Sequence, residues 1–135
     1  MTTLTAHAGP VPYLACEDAA AAIEWYAEVF GSEEVLRLDS PGGKIGHAQL
    51  EVFDGRLYLA DRDGGPSHVH AFVPDVDALF ARAEAAGATV VMPVEDRFWG
   101  DREGTLRDPF GHEWSLSTHL RDVAAEEVNR KVADL

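Results

Sequence analysis

The chain has 135 residues, of which 46% are apolar and 26% charged, so it holds one ordinary domain or two very small halves and is neither disordered nor fibrous. Lys and Arg number 11 against 24 Asp and Glu, and the formal net charge of -13 repels phosphate backbones and anionic lipid. Nucleic acid and membrane partners are thereby disfavoured, and a neutral or cationic small molecule is favoured.

Residues 1–10 show no basic start followed by an apolar run, so no secretory signal is expected and the protein is read as cytoplasmic. No apolar stretch approaches the roughly 20 residues that span a bilayer. Val11 to Asp18 is a strand-like run. Within it Cys16, the single cysteine, has no disulfide partner and is expected as a small buried hydrophobe. Ala19 to Phe30 follows with Ala19, Ala22, Ile23, Tyr26 and Phe30 at helical period, Asp18 placed to cap its first turn and Gly31 suited to its left-handed end. Strands are expected over Glu34 to Asp39, Ile45 to Phe53 and Arg56 to Asp61, divided by Pro41-Gly42-Gly43 and by the hairpin dipeptide Asp54-Gly55.

After the linker Asp63-Gly-Gly-Pro66 the same order returns. His68 to Asp75 is strand-like; Val76 to Ala86 is helical, with Val76, Leu79, Phe80 and Ala83 on one face between Asp75 and Gly87. Strands over Ala88 to Val94, Trp99 to Arg107 and His112 to Thr118 come next, the last two joined by Asp108-Pro-Phe-Gly111, which suits a type I turn. Ala124 to Val132 is a short charged helix. The expected architecture is α+β: two βαβββ modules, about 8–63 and 66–120, plus a C-terminal helix at about 123–133, in one domain spanning 1–135. Each helix covers one face of a curved mixed sheet, and the free faces are expected around a shared cavity.

The duplicated order, the helix Ala22-Ile-Glu-Trp-Tyr-Ala-Glu-Val-Phe-Gly31, the stretch Val73-Pro-Asp-Val-Asp-Ala-Leu79 and above all Phe98-Trp-Gly-Asp-Arg-Glu-Gly-Thr-Leu-Arg-Asp-Pro-Phe-Gly-His-Glu-Trp114 resemble the vicinal oxygen chelate superfamily, over about Val11 to Leu120. That superfamily holds glyoxalase I, extradiol dioxygenases, fosfomycin-modifying transferases and the bleomycin-resistance binding proteins. The resemblance implies metal-ligand positions at Val11, near Leu59, at His68 and at Ser115, and only His68 is an intact ligand there. It therefore points nearest to the metal-free bleomycin-resistance-like proteins, with no metal or cofactor, and implies a homodimer whose cavities combine modules of both chains.

Strand alternation places Tyr13 on the side of Val11, His68 with His70, and Glu113 with Ser115 and Ser117. His47, Gln49 and Glu51 come from the opposite module, and Phe98 and Trp99 stand at the cavity mouth. Aromatic rings stack on flat ligands, and Glu51 and Glu113 favour positive charge. The expected function is metal-independent sequestration of a small planar aromatic, cationic compound. The alternative is a divalent-metal lyase or dioxygenase using His68 with His70 and Glu113 as substitute ligands. Trp114 is expected in the core, Trp25 in packing or a dimer contact, and His112 and His119 at the surface or in local capping. No nucleophile elbow and no phosphate-binding glycine loop is present in the sequence.

Overall fold

A computed structural model describes residues 9–135; the start of module one at residue 8 and the absence of a leader over residues 1–8 lie outside the described residues. Module one runs β1 (Tyr13–Cys16), α1 (Ala19–Phe30), β2 (Glu33–Ser40), β3 (Lys44–Val52) and β4 (Gly55–Asp61). Module two repeats it as β5 (His68–Phe72), α2 (Val76–Ala85), β6 (Thr89–Asp96), β7 (Asp101–Arg107) and β8 (Glu113–His119), and α3 (Ala125–Ala133) follows. The two four-stranded sheets have the orders β1-β4-β3-β2 and β5-β8-β7-β6, in which only the β1–β4 and β5–β8 pairs are parallel. The α+β two-module fold is as expected. No helix of the described residues is long and apolar enough to cross a membrane.

Local chemistry accounts for most element ends. Asp18 accepts from Ala21 N–H and Asp75 from Ala78 N–H, each at 3.1 Å, so the two helices share one capping device. Gly31 takes a left-handed φ of 71° and its N–H closes on Tyr26 C=O. The turn at Asp108 is closed by Gly111 N–H on Asp108 C=O at 3.1 Å. One turn differs from expectation: Gly55 pairs with Val52, so the two-residue loop is Phe53-Asp54, both at positive φ (49° and 62°), rather than Asp54-Gly55. Positive φ at both positions of a two-residue loop is the type I′ geometry that matches the strand twist, and Phe53 accepts it while its ring packs 5.0 Å from Phe30.

Both helices press on one continuous core, where Tyr26, Phe30 and Phe53 of module one meet Trp114 of module two. Trp114 is buried as expected, and Trp25 is held within the chain by its indole N–H donating to Ala86 C=O at 2.8 Å. His112 is a correction. It is buried rather than superficial, because its Nδ1 accepts from Ser67 N–H at 2.9 Å while Nε2–H donates to Ala15 C=O at 3.0 Å, tying the linker and β1 to the turn before β8. Cys16 is buried as expected.

No residue of α3 is buried, so its attachment depends on the strap before it. Leu120 and Arg121 N–H both donate to Gly100 C=O, at 2.8 and 3.1 Å, and Gly100 itself has a φ of +102°. A Cβ there would overlap the Arg121 carbonyl oxygen. Gly100→Ala is therefore expected to cost about 2–4 kcal/mol through backbone strain and overlap, read as a lower thermal midpoint together with protease cleavage near residues 120–124. An unchanged midpoint and cleavage pattern would show that the strap does not close on Gly100.

Candidate functional site

In module one, alternation along β1, β3 and β4 sends Leu14, Ala48, Leu50, Leu57 and Leu59 beneath α1. The other face then receives Tyr13, His47, Gln49, Glu51 and Tyr58, because Tyr13 and Gln49 both stand in register with Tyr58. The Gln49 amide nitrogen lies 3.0 Å from His47 Nε2, so Nδ1 carries the proton and donates to the Tyr13 oxygen at 2.7 Å. Tyr58 meets both rings edge-on, at 5.8 Å from Tyr13 and 5.0 Å from His47. The Arg62 guanidinium sits 4.9 Å from the Tyr13 ring centre, and Glu51 accepts from Arg56 at 3.3 Å. Tyr58 and Arg62 were not singled out in the sequence; their period-2 spacing was visible, but the parallel register that sets Tyr58 beside Tyr13 was not.

In module two the residues opposite α2 form tiers across β5, β8 and β7. His68 Nε2 lies 2.7 Å from Ser115 Oγ, which lies 2.9 Å from Thr105 Oγ1. One tier along, His70 Nε2 donates to Ser117 Oγ at 3.0 Å, and that hydroxyl donates to Glu103 Oε1 at 2.7 Å. Trp99 Nε1–H reaches the same oxygen at 3.4 Å. Further along, His119 is held between Asp101 and Asp122, at 2.7 Å from each. Hydrogen bonds to Asp101 and then Asp122 raise the His119 pKa above its ordinary value, and His119, exposed as expected, ties β7 to the strap through the same two bonds.

Glu113 is bound by Arg107 at 2.8 Å. Phe98 and Trp99 lie in the β6–β7 loop, half-buried, with ring centres 5.0 Å apart and edge-on. Phe72 is 59% exposed, and its ring lies 5.2 Å from that of His70. Glu103 and Phe72 complete a face on which the sequence places His68, His70, Phe98, Trp99, Glu113, Ser115 and Ser117. Their alternation with known neighbours was the available signal for them.

Within the chain the expected site residues thus fall into two groups. Tyr13, His47, Gln49 and Glu51 are on one sheet; His68, His70, Trp99, Glu113 and Ser115, with Phe98, are on the other. Among the described residues no hydrogen bond, ion pair or ring contact joins the two faces, and no strand of one sheet pairs with a strand of the other. The modules instead touch through their helices and Trp114. A cleft of about 500 Å³ lies where the β3–β4 hairpin meets β5, lined by Pro12, Arg56, Leu57, His70, Phe72 and Trp114. A second of about 320 Å³ lies at the linker, lined by Cys16, Arg62, Pro66, Phe110 and His112.

The donor set does not fit the divalent ion of the superfamily's enzymes. Among the described residues no group of three or more His, Cys, Asp or Glu side chains is arranged to hold a metal ion. His68, His70 and Glu113 are engaged by Ser115, Ser117 and Arg107, and Leu59, near another ligand position, is fully buried in the core.

The family model for the glyoxalase, bleomycin resistance protein and dioxygenase superfamily matches residues 5–116. An uncharacterized protein of Mycobacterium tuberculosis strain H37Rv is 41% identical, over 87% of this chain and 78% of that one. TioX from Micromonospora sp. ML1 superposes with a TM-score of 0.71 at 36% identity, covering 82% of this chain and 97% of its own. The fosfomycin resistance protein FosX from Listeria monocytogenes superposes at 0.70 with 16% identity, over 92% and 98% of the two chains, a likeness of fold alone. Repeat, topology, family match and relatives agree, and the chain belongs to the glyoxalase, bleomycin resistance protein and dioxygenase superfamily.

Proposed function

We propose that the protein binds and sequesters a small planar aromatic, positively charged compound in the cytoplasm, without a metal or cofactor, in the manner of the bleomycin-resistance-like branch. The observation that carries this is the polar face of module two: Phe72 stands beside the His70 imidazole, Trp99 reaches the Glu103 carboxylate that shares Ser117 with His70, and His68 and His70 are already hydrogen-bonded to serine hydroxyls, an arrangement suited to holding a flat ring. The formal charge of -13 raises the local concentration of a cation around it. A homodimer completes the site, with the module-one face of one protomer closing over the module-two face of its partner. Support comes from β1 and β5, which among the described residues each end a sheet with one edge unpaired, and from Tyr13 and Phe72, which stand exposed on the two faces.

The test is a tryptophan-fluorescence titration against planar aromatic cations, with and without added divalent metal, on protein whose mass in solution is measured by light scattering. Expected are a dimer, binding indifferent to metal, and a loss of roughly tenfold in affinity on Trp99→Ala, from lost stacking and lost contact area. Binding that requires metal, or a stoichiometric zinc, nickel, iron or manganese surviving gel filtration, would replace this reading with a metal enzyme.

A further inference from the structure

Carboxylates on the module-two face differ in what already neutralises them. Glu113 is paired with Arg107 at 2.8 Å, and Asp101 with His119 at 2.7 Å. Glu103 is not paired in this way. Its side chain is 18% exposed, and among the described residues no Lys or Arg side chain forms an ion pair with it. The nearest basic group is the His70 imidazole, 3.9 Å from Oε1. Arg97 donates to the Glu103 main-chain carbonyl, and its charge is taken up by Glu95 at 3.0 Å. Arg107 stands four residues along β7, about 13 Å away at the rise of a strand, and is spent on Glu113.

The two oxygens of Glu103 also differ. Ser117 Oγ–H and Trp99 Nε1–H both donate to Oε1, and among the described residues no hydrogen bond reaches Oε2. The donors fix the direction of the carboxylate and leave its second oxygen able to accept. Around it stand Trp99 on the loop, His70, and beyond His70 the exposed ring of Phe72.

We propose that Glu103 is the group that recognises the ligand's positive charge, by accepting at Oε2 an N–H hydrogen bond from a protonated amine carried on a flat aromatic ring that lies against Trp99 and Phe72. This rests on the planar-aromatic reading and replaces Glu51 and Glu113, both engaged by arginine, as the source of cation preference. The ligand class is a primary or secondary arylalkyl ammonium. A quaternary ammonium lacks the N–H and gains only from the surrounding field.

The experiment uses calorimetric titration of the full chain with three probes: 2-naphthylmethylamine, the uncharged 2-naphthalenemethanol, and the N,N,N-trimethyl derivative of the amine. The amine is expected to bind more tightly than the alcohol by roughly tenfold or more, as a charge-assisted hydrogen bond gives, and the trimethyl compound to lose most of that preference. Glu103→Gln keeps an acceptor for Ser117 and is expected to erase the amine-to-alcohol ratio. Glu126→Gln removes the same charge from the exposed α3 and is expected to leave the ratio intact. Glu103→Asp, which draws the carboxylate back, serves as the second variant. Because the readout is a ratio on one protein, a purely structural role, which weakens both probes alike, would leave it unchanged and overturn the proposal. So would a trimethyl probe that binds as tightly as the amine, or a preference that survives in Glu103→Gln; either result leaves the aromatic-binding reading standing. If none of the probes binds the parent protein, the binding reading falls and this inference falls with it.

Discussion

Asp108→Ala is expected to lower the stability of the fold by about 3–5 kcal/mol, a large part of what holds a domain of this size together. The carboxylate is only 3% exposed and receives four hydrogen bonds. Tyr26 O–H at 2.5 Å and Trp114 Nε1–H at 3.0 Å reach Oδ2, while Phe110 and His112 N–H reach Oδ1 at 2.9 and 3.0 Å. Tyr26 belongs to module one and the others to module two, so one buried charge closes the turn before β8 and joins the modules. Alanine leaves four donors without an acceptor in a site that water does not reach, and leaving a buried donor unsatisfied costs about 1–3 kcal/mol. Asp108→Asn is expected to fall between, since its amide N–H₂ faces the Trp114 N–H, a second donor. Tyr26→Phe removes one donor along with its partner's bond and should cost about 1–2 kcal/mol alone but much less in the Asp108→Ala background. Urea unfolding of the four proteins reads this cycle, and strict additivity would show that Tyr26 and Asp108 do not act as a unit.

Stability is expected to fall at alkaline pH through two buried acids. Burial, followed by the charges of Asp108, Asp61 and Asp18, pushes the Cys16 thiol from 9.0 up to about 11. Burial and then the Asp108 charge also push the Tyr26 phenol well above its ordinary 10.0. Both pKa values are raised on folding, so between pH 9.0 and about 11 the unfolded chain releases a thiol proton that the folded chain keeps, and above 10.0 it releases the phenol proton as well. The unfolded state then binds fewer protons, which makes the slope of stability against pH negative. The contribution is fully present below pH 9.0 and is lost as pH rises through the folded values. For Cys16 the loss is about 2–3 kcal/mol at the upper end of its window. Cys16→Ala should flatten the decline between pH 9.0 and 10.0, and Tyr26→Phe should flatten it above 10.0, in urea midpoints measured from pH 8 to 11. A parent protein whose midpoint holds constant across that range would contradict the burial of both groups.

How far the sequence reached can be followed residue by residue. Asp18 and Asp75 were recognisable as caps, and Asp108 to Gly111 as a type I turn, because each depends on side-chain and backbone groups a few positions apart. The duplicated order was legible for the same reason: each module repeats the same local signals. Phe53 was not legible as a turn residue, because its positive φ is tolerated only with the ring seated against Phe30 and Trp114. His112 looked superficial beside a turn glycine, and its burial depends on a carbonyl 97 residues earlier in the chain. Glu103 was passed over as one charge among many, since its lack of an arginine partner appears only when Arg97, Arg102 and Arg107 are each seen paired elsewhere.

The sequence by itself therefore determined the parts: where helices start and stop, which face of each is apolar, that the chain is two copies of one βαβββ plan, and which side chains alternate toward the polar faces. Capping, turn chemistry and hydrophobic period act over a few residues, and all of these follow from them. The tertiary structure decided how the parts meet: that the modules join through α1, α2 and Trp114 rather than across their polar faces, that Tyr26 reaches Asp108 across 82 residues, and that among the described residues no side-chain bond or ring contact joins the two polar faces. Those outcomes are set by strand register and by side chains from distant segments filling one close-packed core, and no local period carries the identity of a partner so far along the chain.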